Sequence, residues 1–378
     1  MRAKTDRMSL FAMPMGSGAH SAGWRHPLAG DSRLHSIGHY RAIAQIAERG
    51  KFDAMFLADA QGFRPIAGRD AYACVDAIRM DPVTVLSAVA MATSRLGLIA
   101  TLSTSYNEPY SAARRLATLD HISEGRAGWN VVTSTTENEA HNFGREGHYG
   151  HGERYARAAE FVDVAKALWD SWDDDAILAD QDGGRYFDPA KVHGIAHKGT
   201  HFSVAGPLTM GRPPQGHPVI VQAGSSDAGL GWPRRRPRRC SPPPGAGGAQ
   251  AFYADLKDRV AATGRARSSL KILTAIQPVV ADTAEEAEAI TRELEALVPA
   301  DLAIALLQMQ LGGMDLSGFD PDGPLPPVPA NNASQGSRSG SSIMRRAKIS
   351  PSSRSPATSP PVVPARPRAA RRSRSPIC

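Results

Sequence analysis

The sequence predicts an α/β protein built as a (β/α)8 TIM barrel with insertions. Three observations carry that expectation. Short apolar runs alternate with amphipathic stretches from about residue 8 to residue 297, and repeated βα units imply a parallel sheet. Several runs stop abruptly in polar residues: Asp59, Ser103-Thr104-Ser105, Thr133-Ser134 and Ala223-Gly224-Ser225-Ser226. A barrel gathers its site from many strand ends on one face, whereas a doubly wound sheet concentrates it at one switch point. Polar ends on separate strands favour the barrel over the doubly wound alternative.

Taken in order, Met8 to Met15 reads as a strand and Gly38 to Arg49 as a helix closed by Gly50. Phe52 to Ala58 is a strand that ends at Asp59. Asp81-Pro82 opens a helix, with Asp as N-cap and Pro at the first helical position. That helix is expected to run to Arg95, with Gly97 as its stop. Leu98 to Leu102 is a strand, Pro109 to His121 a helix, and Ala127 to Val132 a strand. Gly152 to Trp172 is a long amphipathic helix. Residues 173–216 are rich in Asp, Gly, His and Pro and read as an excursion. Pro218 to Gln222 is a strand, Ala249 to Thr263 a helix, Leu270 to Val280 a strand, and Thr283 to Leu297 a helix.

Two segments break this pattern. Residues 231–248 are Arg/Pro-rich where a helix and a strand are due. Residues 333–378 are dominated by Ser, Arg, Pro and Ala. Such a composition buries too little apolar surface to offset the entropy of ordering, so a disordered tail follows a domain of residues 1–332. The chain carries a formal +7. From residue 331 onward there are ten Arg or Lys and no Asp or Glu, so residues 1–330 sum to −3. The basic character is therefore local, which disfavours a nucleic-acid binder as the whole protein's function. No stretch approaches the roughly 18 apolar residues of a membrane span, and no signal peptide is evident. Three cysteines, Cys74, Cys240 and Cys378, fit a reducing cytoplasm.

The strand end Trp129-Asn130-Val131-Val132-Thr133-Ser134 offers an indole, a carboxamide and two hydroxyls, a mixture suited to a flat, heteroatom-rich ligand. A packed strand entering a loop is the plain alternative. Asp59 suits a ligand donor, a base or a metal, or simply a helix N-cap. Ser103 and Thr104 suit a pocket or ordinary turn chemistry. His151, Arg154 and Tyr155 open the long helix, and positions 151 and 155 share a face. An anion is favoured there, against a solvated first turn. Ser225 and Ser226 follow small residues that let a backbone approach phosphate. The phosphate loops GxxxxGK[ST] and GxGxxG are absent, as is a serine nucleophile elbow. His193, His197 and His201 recur every fourth residue, but Gly194 and Gly199 argue against a helical metal site. His20 lies in the loop after the first strand.

These residues resemble the bacterial-luciferase-like flavin monooxygenases, in particular the nitrilotriacetate and dibenzothiophene-sulfone monooxygenase group. The resemblance rests on Trp24-Arg25-His26-Pro27, Phe56-Leu57-Ala58-Asp59, Ser103 to Tyr110, Leu119-Asp120-His121-Ile122-Ser123, Gly125 to Ser134, Asn142-Phe143-Gly144, Glu153-Arg154-Tyr155, Gly206-Pro207-Leu208, Arg212 to Gly216 and Val221-Gln222-Ala223-Gly224. It implies a TIM barrel binding FMN as FMNH2. The implied flavin contacts are Asp59, Ser103 or Thr104, His151 and Tyr155, with Ser226 on the phosphate and Asn130 beside the isoalloxazine. His20 falls where relatives place a substrate-side histidine. The implied chemistry is the cofactor's: FMNH2 and dioxygen give a C4a-peroxyflavin that oxygenates a small organic nitrogen or sulfur compound. A separate NAD(P)H:flavin reductase is the implied partner, and a homo-oligomer is compatible with the sequence.

The resemblance breaks after Ser226, where the Arg/Pro-rich segment 231–248 follows, resumes at Ala249 and ends near Asn331 to Ser337. Out-of-frame translation of a GC-rich gene yields Arg, Pro, Ser, Ala and Gly, so both segments are expected to be shifted-frame products. The barrel would then be incomplete at its C-terminal end and the chain inactive. Two other functional classes stand beside the monooxygenase: a non-catalytic flavin-binding protein, and a basic-tailed polyanion-binding protein.

Overall fold

The computed structural model describes residues 8–16, 18, 20–29, 36–62, 79–134, 137–223, 246–299, 303–304, 307–308, 314–316 and 318. Its centre is a five-stranded parallel sheet. The strands are β1 (Phe11–Ala12), β2 (Ala54–Leu57), β3 (Gly97–Ser103), β4 (Ala127–Val132) and, after an excursion, β9 (Val219–Gln222). They lie in the order β1-β2-β3-β4-β9, which is chain order. Helices α1 (Ile37–Arg49), α2 (Pro82–Ala90) and α3 (Pro109–Ile122) make the crossovers. A short α4 (Glu137–His141) and the long α5 (His151–Trp169) follow β4. This is the TIM-barrel-type α/β fold that the alternation predicts.

The excursion forms two small hairpins: β5 (Ile177–Asp180) with β6 (Arg185–Phe187), and β7 (His197–Lys198) with β8 (Ser203–Val204). Glu160 on α5 anchors the second by accepting from His197 Nε2 (3.0 Å) and from the backbone N–H groups of His201 and Phe202. Burial raises the pKa of that carboxyl, but the His197 and backbone hydrogen bonds outweigh it and hold it below the usual carboxylate range. His193 lies instead against Asp173 (3.2 Å). Each of the three spaced histidines thus has its own local role.

Period-two alternation divides every sheet strand into two faces. Met55, Leu57, Leu98, Ala100, Leu102, Ala127, Trp129, Val131 and Ile220 join the main core with the helices. Ala54, Phe56, Ile99 and Val221 form a second apolar cluster on the opposite, inner face. Gly128 belongs to that inner face. A Cβ there would stand 2.9 Å from Ile99 Cγ1 and 3.2 Å from Val219 O, so only glycine lets the three strands close up.

Two polar ties fix the end of the sheet away from the polar strand ends. Arg126 donates to the carbonyls of Ser123, Leu96, Ala90 and Thr93 and to Thr93 Oγ1. Asp120, fully buried, accepts from Ala127 N, Gln215 N and Gln215 Nε2. It joins the end of α3 to the start of β4 and to the approach to β9.

Several expected boundaries move. The helix expected to reach Arg95 ends at Ala90. Asp81 caps it through the Thr84 N–H as predicted, but Glu48 Oε1 accepts the N–H groups of Ser94, Arg95 and Leu96 and diverts the chain. The strand expected over residues 270–280 is absent. A short 3-10 turn (Arg267–Ser269) leads into extended, mostly exposed chain, with Ile276 79% and Val280 84% exposed. Alternating apolar residues make a strand only where a neighbour offers a hydrogen-bonding edge, and among the described residues none does. Helix α6 (Ala246–Ala261) starts slightly before its expected position, and α7 (Ala284–Ala296) is capped by Thr283. Of the segment 231–248 only the first turn of α6 is described. The tail 333–378, and with it most of the shifted-frame expectation, lies outside the described residues. No described helix is long and apolar enough to cross a membrane.

Candidate active site

Because the strands are parallel and adjacent, their C-terminal ends share one edge of the sheet. Inner-face polar residues appear only near that edge. Thr101 Oγ1 donates to Leu57 O (2.7 Å) and accepts from Asn130 Nδ2 (3.0 Å). This holds the Asn130 carboxamide in one orientation, with Oδ1 buried and without a hydrogen-bond partner. An unmet buried acceptor is costly, and a donor from a ligand or a water would meet it. One residue earlier, Trp129 faces the other way. It is fully buried against Phe161 and Trp169, and its Nε1 donates to Leu102 O (3.2 Å). The indole that the sequence offered to a ligand is therefore core, because alternation puts neighbours 129 and 130 on opposite faces.

Ser103 Oγ shares a 2.7 Å hydrogen bond with Ser134 Oγ and accepts from Ser105 N (3.2 Å). Ser134 takes a left-handed φ of 55° at the bend leaving β4. Thr104 is fully buried, and both its N–H and its hydroxyl donate to Val132 O. Its hydroxyl is thus engaged with β4.

The first turns of α5 reach the same edge through Arg154, whose Nη1 donates to Ser134 O (3.1 Å). Arg154 is only 3% exposed, and its Nε has no partner. Burial pulls its pKa below the ordinary guanidinium value. The His151 and Tyr155 rings, one helical turn apart, lie 5.0 Å from each other between centroids. Asp59 lies two residues beyond β2. Its carboxyl is pushed up to about 6, chiefly by burial; Ala60 N–H opposes this, and the charges of Asp81 and Glu139 add to it. Ser226 lies outside the described residues. His20 sits in the loop after β1, where its Nδ1 accepts from Ala22 N (3.2 Å).

Three neighbours were not singled out individually from the sequence. Tyr106 stacks on Phe143 (4.9 Å, 5° between planes), and its hydroxyl bonds His148 Nδ1. Burial, aided by Glu139, pushes the Tyr106 hydroxyl up to about 12. Burial and the Arg154 charge lower His148. At neutral pH Tyr106 therefore keeps its proton and shares a hydrogen bond with a neutral imidazole. The third, Glu139, is buried beside them. Tyr106 and Phe143 lie in stretches that carried the resemblance, but only the fold shows that they stack.

A parallel sheet with polar groups gathered at its C-terminal edge is the arrangement in which the TIM-barrel class builds its small-molecule sites. A family model described as luciferase-like monooxygenase matches residues 13–312. The chain belongs to that family. Nitrilotriacetate monooxygenase component A of Aminobacter aminovorans is 46% identical over 331 residues, covering 85% of this chain and 73% of the relative. A crystal structure of riboflavin lyase with modified FMN and riboflavin superposes with a TM-score of 0.74 at 36% identity, covering 84% of this chain and 72% of the other. A crystal structure of long-chain alkane monooxygenase gives 0.78 at 32% identity, covering 91% and 79%. The cofactor of the family is FMN. The residues present fit it: Asn130 Oδ1 and Arg154 Nε are unmet buried groups of opposite polarity, as a ligand carrying both donors and anionic acceptors requires.

Proposed function

We propose that this chain is an FMNH2-dependent monooxygenase of a two-component system. It takes reduced flavin from a separate NAD(P)H:flavin reductase and oxygenates a small organic nitrogen or sulfur compound. The observation that carries this reading is the Asn130 carboxamide, locked by Thr101 with a buried, unmet oxygen on the inner face. The family's monooxygenases supply the reaction class.

In this reading Asn130 and Ser103 orient the isoalloxazine, and Asp59, Thr104, His151 and Tyr155 complete its surroundings. Ser226 holds the phosphate. Phe56, Ile99 and Val221 keep water from the inner face. When bound, reduced FMN activates dioxygen; one oxygen atom enters the substrate and the other leaves as water. The protein's own work is orientation and exclusion of solvent. Asp59, titrating near 6, is suited to exchanging a hydrogen bond with the flavin as its protonation changes.

The test is anaerobic titration of purified protein with FMNH2, comparing wild type with Asp59→Ala and Ser226→Ala. Weaker binding in both variants supports the reading, and absence of flavin binding by the wild type overturns it. With an added reductase and NADH, flavin binding without an oxygenated product would point to a non-catalytic flavin protein instead. Resequencing the gene across residues 231–248 and 333–378 tests the shifted-frame expectation; an unbroken frame removes it.

A further inference from the structure

Beside the flavin edge lies a cluster that the proposed contacts do not use. The Arg145 guanidinium sits 3.7 Å over the Tyr149 ring. Arg157, one turn beyond Arg154 on α5, lies 4.3 Å over Phe202 and 5.4 Å from the centre of the same Tyr149 ring. Tyr149 stands 6.3 Å from Tyr106, and Arg157 Nε donates to Thr104 O (3.3 Å), just past β3. The cluster therefore borders the C-terminal edge of the sheet.

A guanidinium lying over an aromatic ring uses its face for that contact and leaves its in-plane N–H groups available. Here each arginine commits only Nε, Arg157 to Thr104 O and Arg145 to Gly147 O (3.4 Å). Among the described residues neither forms an ion pair with a carboxylate, whereas Arg115, Arg212, Arg259 and Arg267 all do. Nearby Glu137 is engaged by the His148 N–H (2.7 Å). Both guanidiniums lie against the same ring, Arg145 exposed and Arg157 half-buried, and their forks of paired Nη donors match the geometry of carboxylates.

We infer that Arg145 and Arg157, set on Tyr149 and Phe202, are the specificity-determining residues of the active site, and that its substrate is a small organic anion with two or more carboxylates. This rests on the monooxygenase reading and narrows its substrate class. A neutral sulfide, sulfone or alkane would leave both forks unmet.

The experiment titrates the full-length, FMN-loaded protein by calorimetry with nitrilotriacetate, S-(2-succino)cysteine and tricarballylate, and with nitrilotriacetate trimethyl ester as the neutral control. The expected result is binding of at least one of the three carboxylates and none of the ester. Arg145→Gln and Arg157→Gln should each weaken that binding about tenfold or more, and Arg157→Lys should weaken it less, since it keeps the charge and loses the fork. In turnover with a reductase, KM for the carboxylate should rise while kcat changes by less than about threefold. Melting curves establish that each variant is folded. Failure of the wild type to bind any of the three, ester binding equal to acid binding, or unchanged affinity in both Gln variants would overturn the inference. If flavin does not bind, the same titration on the unloaded chain still reads the arginine dependence, and only the monooxygenase reading falls.

Discussion

Replacing Asp59 with Asn is expected to stabilise the protein at neutral pH and leave it almost unchanged in acid. Burial pushes this carboxyl from 3.8 to about 6, against the pull of the Ala60 N–H. The native state therefore holds the proton more tightly than the unfolded chain does. Below about pH 4 both states are protonated and the ionised form imposes no cost. As pH rises from about 4 to 6 the unfolded chain ionises first, and the native state loses stability; above about 6 the loss is complete. The full displacement corresponds to about 3 kcal/mol. Asp59 is half-buried, so solvent screening reduces the expected effect to about 1–2 kcal/mol. The carboxamide keeps an acceptor for Ala60 N–H without the charge. Scanning calorimetry of both proteins at pH 4.5 and 7.5 measures the difference. The Asp59→Asn variant should melt about 2–6 °C higher than wild type at pH 7.5, with about a third of that offset at pH 4.5. An equal offset at both pH values would refute the reasoning, as would a lower melting point for the variant at pH 7.5. The same variant is expected to hold FMN less well, the usual trade at a site built for binding.

Gly128→Ala should lower stability by about 1–3 kcal/mol through overpacking against Ile99, and Ile99→Val should recover part of it; urea midpoints of the single and double variants check this. Asp120→Ala strands the buried donors of Ala127 and Gln215 and should cost about 2–4 kcal/mol, read by the same unfolding curves. Asn130→Ala removes the oriented carboxamide and should weaken FMN binding about tenfold, whereas Trp129→Phe, on the opposite face, should lower the melting point with FMN affinity unchanged.

Much of the fold was legible because its signals are local. Asp81-Pro82 announced a helix start that the structure realises through the Thr84 N–H. The short apolar runs at 52–58, 98–102, 127–132 and 218–222 announced strands, and a strand forms at each. The run at 270–280 carried a similar pattern and is not a strand, since no local signal states whether a partner edge will be present. Glu48 was equally invisible. It lies 46 residues from Ser94, yet it ends α2 by taking three N–H groups there.

The candidate site divides along the same line. Residue types at strand ends marked Asp59, Ser103, Thr104, Asn130 and Ser226, and those at a helix start marked His151 and Tyr155; Ser226 lies outside the described residues. Sequence could not separate Trp129 from Asn130, or tell that the Thr104 hydroxyl turns to Val132 while that of Ser103 meets Ser134. Nor could it show Arg145 and Arg157 both lying over one tyrosine ring. Composition, alternation and capping residues determined that this chain folds as a parallel α/β barrel with a polar rim, because those preferences act within a few residues. Tertiary packing alone decided which polar atoms stay unmet and which charges stay unpaired, because those depend on groups brought together from distant parts of the chain.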